Sequence, residues 1–349
     1  MKVAALVSGG VDSSTALQLL TQTPEMDVTA YYLKIWLEDE LAFLGDCPWE
    51  EDLHYAQAIC KQLGIRLNII PLQTEYRENI VEFALNELRV GHTPSPDIFC
   101  NERIKFGAFM DQIDESYDKI ASGHYAQVVC QSGKYLLKQA PDPVKDQTYF
   151  LSNLSQQQIA RLIFPIGHLQ KYQVRSLAEQ YDIPAKTRPD SQGICFLGKI
   201  KYRDFVASHL GELPGEIIDS ETGRVIGTHR GHWFHTIGQR QGLGLSGGPW
   251  YVVRKAAKHN QVFVTHSTAL QSYTRDKFTL RALHWISGKP QSTDLRVKVR
   301  HGPETTACDL SIDKGITSVI LNEADTGIAP GQHAVFYSDD FCLGGGIIE

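Results

Sequence analysis

Several things are missing from this 349-residue chain, and each absence narrows what it can do. No apolar run is long enough to span a bilayer. Met1-Lys2 runs straight into an apolar stretch, so nothing reads as a secretory signal. A cytoplasmic enzyme without a membrane partner is expected. An excess of positive charge is missing too. The 34 Lys and Arg against 40 Asp and Glu leave a net charge of −6. That excludes a surface coated uniformly for nucleic acid but leaves room for a local basic groove. The seven cysteines are odd in number, and none stands in a C-x-x-C pair. Free thiols are therefore expected rather than a disulfide scaffold or a zinc site. Asp46, Cys47 and His54 are too scattered to make a metal site, and no metal ligand set is assigned. What is present is ordinary for a soluble globular protein, at 42% hydrophobic and 21% charged residues. The length exceeds one core, so two or three domains are expected.

The chain is organised around its first stretch, Val3-Ala4-Ala5-Leu6-Val7-Ser8-Gly9-Gly10-Val11-Asp12-Ser13-Ser14. An unbroken apolar run of this length suits a strand buried on both faces. It turns through two glycines into a helical pattern. Glycine allows close backbone approach, and a helix start offers N–H groups and the positive end of its dipole. The stretch is neither a Walker A motif nor Gly-x-Gly-x-x-Gly. Ser-Gly-Gly-x-Asp-Ser resembles the PP-loop of ATP pyrophosphatases, which implies cleavage of ATP between the α and β phosphates. Under that resemblance Asp12 holds Mg²⁺ or orders pyrophosphate. The alternative is a Gly-rich turn with Asp12-Ser13 as a helix cap.

Further strands are expected at 28–33, 66–72 and 117–126, with helices at 51–60, 76–90, 154–163 and 170–181. Leu33, near the end of the second strand, either lines an adenine pocket or packs in the core. Thr93-Pro94-Ser95-Pro96 fixes an extended segment, and a helix is expected from Asn101. Cys100 would then sit at or just before a helix N-terminus, with Arg103 and Lys105 within about a turn. Each of these features favours a thiolate. Ser122-Gly123-His124 follows the fourth strand. Gly123 permits close approach to a ligand, and His124 either contacts phosphate or substrate or ends the strand. A hairpin is expected around Ser132-Gly133. Lys145-Asp146-Gln147 offers a cation and two hydrogen-bonding side chains, suited to phosphate and base edges or to a solvated loop. Cys195 lies in Arg188-Pro189-Asp190-Ser191-Gln192-Gly193-Ile194-Cys195-Phe196, a glycine-turned loop. Two cysteines in structured loops beside a nucleotide motif suggest sulfur transfer or a redox pair.

These blocks together resemble the bacterial tRNA-specific 2-thiouridylases, end to end. Gly238-Gln239-Arg240-x-Gly242-Leu243-Gly244, Pro249-Trp250-Tyr251-Val252 and Pro330-Gly331-Gln332 continue the match. The resemblance implies an α/β fold in three parts. A doubly wound parallel-sheet PP-loop domain occupies 1–200, a small β-rich domain 201–267, and a C-terminal β-barrel 268–349. It implies that ATP adenylylates the 2-oxygen of a wobble uridine. Sulfur carried as a persulfide on Cys195 then replaces it. Either the terminal sulfur attacks C2 directly, or Cys100 releases it as hydrosulfide by forming a disulfide with Cys195. Cys100, Cys195 and Asp97 are the catalytic residues so implied. ATP binding falls to Leu6, Val7, Ser8, Gly9, Gly10, Val11, Asp12, Ser13, Leu33 and Gly123. Ser95-Pro96-Asp97 would hold the flipped base, with Ser95 where the family usually has asparagine. His124, Lys145, Asp146, Gln147, Arg300, His301 and Gln332 would meet the tRNA, His301 standing where the family often has tyrosine. ATP with Mg²⁺ is the implied cofactor set. A sulfur donor, such as a cysteine desulfurase or a sulfur-relay protein, is the implied partner. A ligase acting on a small metabolite would not need the two loop cysteines, and a nucleotide-sensing module would survive their loss.

The final third alternates in short runs separated by turns, which is the pattern of a barrel. In Arg296-Val297-Lys298-Val299-Arg300 the three cations fall on one strand face. They form a phosphate-binding stripe or a solvated face. Cys47, Cys130, Cys308 and Cys342 lack an activating context and are expected to be structural, and Cys60 to be core.

Overall fold

In the computed structural model, which describes residues 1–35, 49–190, 201–290 and 294–349, the opening apolar run is strand β1, Lys2–Leu6. Its side chains alternate between two cores. Ala4 belongs to one cluster, and Val3 and Ala5 to the other. Strand β2 (Asp27–Lys34) pairs parallel to one side of β1, and β3 (Leu67–Pro71) lies beyond it. On the other side come β4 (Lys119–Ala121) and β7 (Leu162–Ile163), also parallel. The order β3-β2-β1-β4-β7 reverses between β1 and β4. A doubly wound sheet opens its ligand crevice there, at the carboxyl ends of the strands. Helix α1 (Val11–Thr21) follows β1, and α2 is Trp49–Leu63.

Three local expectations are corrected here. Leu162-Ile163 is the last strand of this sheet, and the helix before it, α5, is only Gln156–Ala160. A two-residue strand carries no periodicity that separates it from a helix. The helix expected from Asn101 begins at Pro96. It runs as Pro96–Phe99, a π-helical Cys100–Ala108 and Phe109–Gln112, together α4. Pro96 serves as its first helical residue, where the missing N–H costs nothing. Helix α3 is likewise composite, from Gln73–Tyr76 through Arg77–Val81 to Glu82–Arg89.

The hairpin β5 (Ala126–Gln131) and β6 (Lys134–Gln139) turns on Ser132 and Gly133, both at positive φ, as a two-residue turn of matching twist requires. It leaves the parallel sheet and joins the C-terminal one, Leu137 pairing with Cys342. That sheet contains β12 (Arg275–Trp285), β13 (Leu295–Lys298), β14 (Thr306–Asp313), β15 (Ile316–Asp325), β16 (His333–Ser338) and β17 (Phe341–Ile348). β12 pairs with both β15 and β17, so these six strands close into an antiparallel barrel with β5–β6 as a flange. Closure removes exposed edges. Between the two lies a four-stranded sheet of β8 (Gly215–Asp219), β9 (Val225–His229), β10 (Trp250–Ala256) and β11 (Gln261–His266).

The largest core is shared between regions. Ile98 and Phe106 of α4, Leu137 of the hairpin, and Val335, Tyr337 and Ile347 of the barrel belong to one buried cluster. Helix α6 (Lys171–Gln180) packs on the opposite side of the sheet through Val174 and Ala178. Helix α7 (Tyr202–Leu210) places Phe205 and Val206 in the shared core.

Candidate active site

The glycine turn is built from the backbone. Gly10 is the residue before α1, and no side chain caps that helix, so the cap alternative does not hold. Ser13 instead folds its hydroxyl back, accepting from the Ser8 N–H at 3.2 Å and donating to the Gly10 carbonyl. Gly9 has φ +76°, and a Cβ there would lie 2.1 Å from the Asp52 carbonyl oxygen. Gly123, at the end of β4, approaches so closely that a Cβ would lie 2.7 Å from the Ser13 nitrogen. The paired ends of β1 and β4 thus bring Gly123 against the start of α1, where no side chain would fit, leaving an uncapped helix start at the crevice. Val7 and Val11 are buried and support the turn. Leu6 is half-buried at the end of β1, and Leu33 packs against the shared core at the end of β2.

Around this turn lies an ionic network. Asp12 accepts from the Tyr125 hydroxyl at 2.8 Å and from Lys171 Nζ at 2.7 Å. Lys171 also meets Asp190 at 2.8 Å, and Asp190 takes Lys145 at 2.5 Å and Arg175 at 2.6 Å. Burial works against the Asp190 carboxylate, but the hydrogen-bonded Lys145 and Lys171 outweigh it and hold its carboxyl well below the usual range. Three cations here face Asp12, Asp190 and the carboxylate of Asp142, which accepts the Lys171 N–H at 3.0 Å. Arg188 donates to the Gly9 carbonyl at 3.0 Å and to Asp52 at 2.7 Å, pinning the turn to α2. Lys171, Arg175 and Tyr125 are absent from the sequence-based set. The signal available for the first two was a cation pair four apart at the start of a helix that follows the fourth strand.

A second cluster forms where α4 meets the barrel. The Tyr149 hydroxyl donates to the His333 carbonyl at 3.0 Å, with the Ser95 hydroxyl beside it. His301 lies over Phe150, with ring centroids 4.5 Å apart and planes inclined by 30°, and near Tyr149 at 5.8 Å. Burial pulls the His301 imidazole below its ordinary pKa, while Asp146 and Asp97 pull the other way. Arg300 is half-exposed and bidentate to Asp325, at 2.7 and 2.8 Å. Ser95, Asp97, Arg300 and His301 are thus brought together, and Pro96 is buried beneath them. Sequence reasoning missed Tyr149 and Phe150, because a Tyr-Phe pair in a loop carries no mark of the histidine it will meet. The cluster is clamped from two sides. The Thr93 N–H donates to the Pro330 carbonyl at 2.7 Å, and the Thr93 hydroxyl to Thr236 at 3.2 Å. Gly331 packs against His92 and Thr93, which places half-buried Gln332 at this junction.

The remaining expected residues divide. Cys100 is 1% exposed and lies one turn inside α4, not at its N-terminus, because Pro96 starts the helix earlier. Arg103 does not point to the thiol. It lies over the Phe99 ring at 4.3 Å and donates to the Asn79 carbonyl. Asn101 donates to the Phe150 carbonyl at 3.0 Å, linking α4 to the second cluster. His124 bonds Ser122 at 2.8 Å, and burial together with nearby Lys105 keeps it neutral. Its ring also meets Phe106 of α4 at 5.8 Å. Asp146 is 2% exposed, and Gln147 holds Tyr125 through backbone and side chain. The expected stripe 296, 298, 300 is corrected. Lys298 is 3% exposed and faces Asp146, Arg296 bonds Thr305, and Arg300 holds Asp325. Cys195 lies outside the described residues, as does Cys47. Burial pushes the Cys60 thiol up to about 11 and Cys308 to about 12, and raises Cys342 as well, consistent with structural roles. Cys130 is exposed.

Residues 1–199 match a family model described as the tRNA methyl transferase HUP domain. Residues 203–266 match the tRNA methyl transferase PRC-barrel domain, and 275–348 the aminomethyltransferase beta-barrel domain. The tRNA-specific 2-thiouridylase MnmA 1 of Bacteroides thetaiotaomicron is 44% identical over all of this chain and 99% of its own length. The tRNA-specific 2-thiouridylase MnmA of Parabacteroides distasonis is 43% identical over the same shares. A solved U34-tRNA thiolase, NcsA of Methanococcus maripaludis, aligns with 60% of this chain and 64% of its own at TM-score 0.36 and 19% identity, too distant to add to these.

Proposed function

The chain belongs to the family of tRNA-specific 2-thiouridylases, and from that membership we infer that it is a tRNA-uridine 2-sulfurtransferase that uses ATP. We propose the following roles for its residues. ATP lies at the switch point with its phosphates on the uncapped start of α1, where Ser8, Gly9, Gly10, Val11, Asp12 and Ser13 offer backbone N–H groups and hydroxyls. Leu6, Val7, Leu33 and Gly123 border it. Lys145, Lys171 and Arg175 supply the positive charge that the pyrophosphate leaving group requires. Asp12 spends its Oδ1 on Tyr125 and Lys171, and its Oδ2 is a hard carboxylate oxygen that suits Mg²⁺ completed by phosphate oxygens, whereas both Asp190 oxygens are held by Lys145, Lys171 and Arg175. Such an ion would neutralise charge developing on the phosphates.

The target uridine, flipped from its stack, enters beside Ser95, Pro96 and Asp97, with Phe150 and His301 as aromatic faces. Arg300, Gln332 and Lys145 face the RNA backbone or its mouth. Asp146 is left out of this set because its oxygens are occupied inside the protein. The uridine 2-oxygen attacks the α-phosphorus and pyrophosphate leaves, which turns an inert ring oxygen into a leaving group. A persulfide on Cys195, loaded by a sulfur donor, then supplies sulfur to C2 and AMP departs. Either its terminal sulfur attacks C2, expelling AMP, and the Cys100 thiolate then attacks Cys195 Sγ to break the S–S bond, or the Cys100 thiolate attacks Cys195 Sγ first and the hydrosulfide it releases attacks C2. Both routes leave a Cys100–Cys195 disulfide that a thiol reductant reopens before the next turnover. We infer a cytoplasmic location from the tRNA substrate.

The observation that supports this reading best is helix α4. It starts at Pro96, with Asp97 in the aromatic cluster, carries Cys100 one turn later, and packs Phe106 on His124 beside the glycine turn. The nine steps from Asp97 to Phe106 span at most about 13 Å, so one helix bridges the base cluster and the glycine turn. The test is nucleoside mass analysis of tRNA after incubation with ATP and a persulfide-donating cysteine desulfurase. The 2-thiouridine signal should vanish in Cys195→Ser. An undiminished signal in that variant would sink the reading.

A further inference from the structure

Three consecutive residues, Lys145, Asp146 and Gln147, send their side chains to three separate parts of the molecule. Asp142 sets their turn. Its Oδ1 accepts from the N–H groups of Val144 and Lys145 at 3.1 and 3.2 Å, and its carbonyl from the Asp146 N–H at 2.8 Å. Lys145 reaches Asp190, which Lys171 joins to Asp12 of the glycine turn. Gln147 accepts from the Tyr125 N–H at 2.9 Å, and the Tyr125 hydroxyl bonds Asp12 as well. Asp146 faces the other way. Its Oδ1 accepts from the Ala140 N–H at 3.1 Å. Its Oδ2 accepts from Thr148 at 2.7 Å and Gln139 at 3.2 Å, and lies 3.8 Å from Lys298 Nζ on barrel strand β13. Lys298 also sits 5.1 Å from the Tyr337 ring. Two and three residues further along the same strand direction are Arg300 and His301.

A fully buried ion pair gains little stability over well-packed apolar side chains, since desolvation offsets attraction. What it does provide is a fixed register, because stranding either charge in the interior is costly. Here the register being fixed is that of the barrel strand against the loop that holds the carboxylates of the nucleotide site. We propose that Lys298–Asp146 is a positioning pair that couples tRNA binding at the barrel to ATP binding at the glycine turn, through the Lys145 and Gln147 side chains on either side of Asp146. The proposal rests on the placement of ATP and tRNA given above. Coupling of this kind is reciprocal, so either ligand tightens the other by the same factor.

Equilibrium binding on the full chain tests it, with α,β-methylene-ATP as the nucleotide and an unmodified tRNA transcript as the RNA. The quantity read is the ratio of the nucleotide's Kd without and with saturating tRNA, expected at about 5 to 50 in the wild type. Lys298→Met alone strands a buried carboxylate, so the informative variant is Lys298→Met with Asp146→Asn, which carries neither charge. It should bind each ligand alone within about threefold of wild type while the ratio falls to about 1, and Lys298→Arg should keep most of the ratio. A merely structural pair would instead shift the melting temperature and both affinities with the ratio intact. A ratio that survives in the double variant or falls in neither, or a wild-type ratio of 1, overturns the proposal. Failure of the wild type to bind either ligand alone overturns the placement of ATP and tRNA instead.

Discussion

The two halves of the site are made in opposite ways. The nucleotide side is nucleated by chain neighbours, β1, a glycine turn and α1, which Gly123, Asp52, Tyr125, Lys171 and Arg188 then close around. The base side is assembled from Ser95 and Asp97, Tyr149 and Phe150, and Arg300 and His301, which meet only when the barrel docks on α4. The first binds through backbone groups that any residue carries, so its chemistry depends on space. The second binds through side chains, so its chemistry depends on which ones tertiary contact brings together. Local construction makes the nucleotide side sensitive to a single Cβ, whereas the base side should lose function in increments.

The sharpest way to break this comparison is at Cys100, which belongs to the base-side helix but to which we assign a part in the chemistry. Cys100→Ser should lower 2-thiouridine formation by about 10³-fold or more, with adenylylated tRNA still formed, because a hydroxyl cannot replace a nucleophilic thiol. Mass analysis that finds normal product would leave α4 a binding element only. Next comes Gly9→Ala. Its positive φ and the 2.1 Å approach to the Asp52 carbonyl should weaken the ATP analogue by about 10²-fold and stability by about 2 kcal/mol. Binding of tRNA should stay near normal. Equal losses for both ligands would show that the two sides are not built independently.

Removing charge rather than space should cost less. Lys171→Met leaves Asp12 and Asp190 facing one another without their shared cation and should raise the Kd for α,β-methylene-ATP about 10- to 30-fold. Calorimetry that shows an unchanged value would remove Lys171 from phosphate binding. On the base side, Phe150→Leu should weaken tRNA by about 1–3 kcal/mol, the worth of one stacked base, with the nucleotide Kd unmoved.

The smallest expected effect is with pH. Burial depresses the His301 pKa, so in the free protein the imidazole is neutral at pH 7. An RNA phosphate nearby favours the protonated form, so the bound protein takes up a proton at higher pH than the free one, and tRNA binds about 2- to 5-fold tighter as the pH is lowered. His301→Phe should flatten that slope. The Asp190 carboxyl is held far below the same window and stays ionised throughout it. Nucleotide affinity should therefore show no matching titration from Asp190. A nucleotide affinity, measured without tRNA, that tracked the His301 titration would break the comparison by showing the two sides to be electrostatically joined.

Much of this was legible in the chain. The apolar run, the Ser-Gly-Gly turn and the Ser132-Gly133 hairpin are short-range features whose physics acts within a few residues. The start of α4 was misplaced because proline after serine reads equally as an extended segment and as a helix opening. Leu162-Ile163 was misread because two residues hold no period. The cationic stripe was misread because alternation says that residues 296, 298 and 300 share a face but not what covers that face. The loop at 146–148 covers its middle member alone.

The sequence by itself determined that a buried strand would turn through glycines into a helix and that a barrel would close the chain. Backbone sterics and hydrophobic periodicity act locally, so they survive in one dimension. Only the tertiary structure decided that Tyr149 and Phe150 face His301, that Lys171 bridges two carboxylates, and that Lys298 turns inward to Asp146. Those choices depend on which groups lose their water together, and desolvation is a property of packed surfaces rather than of chain order.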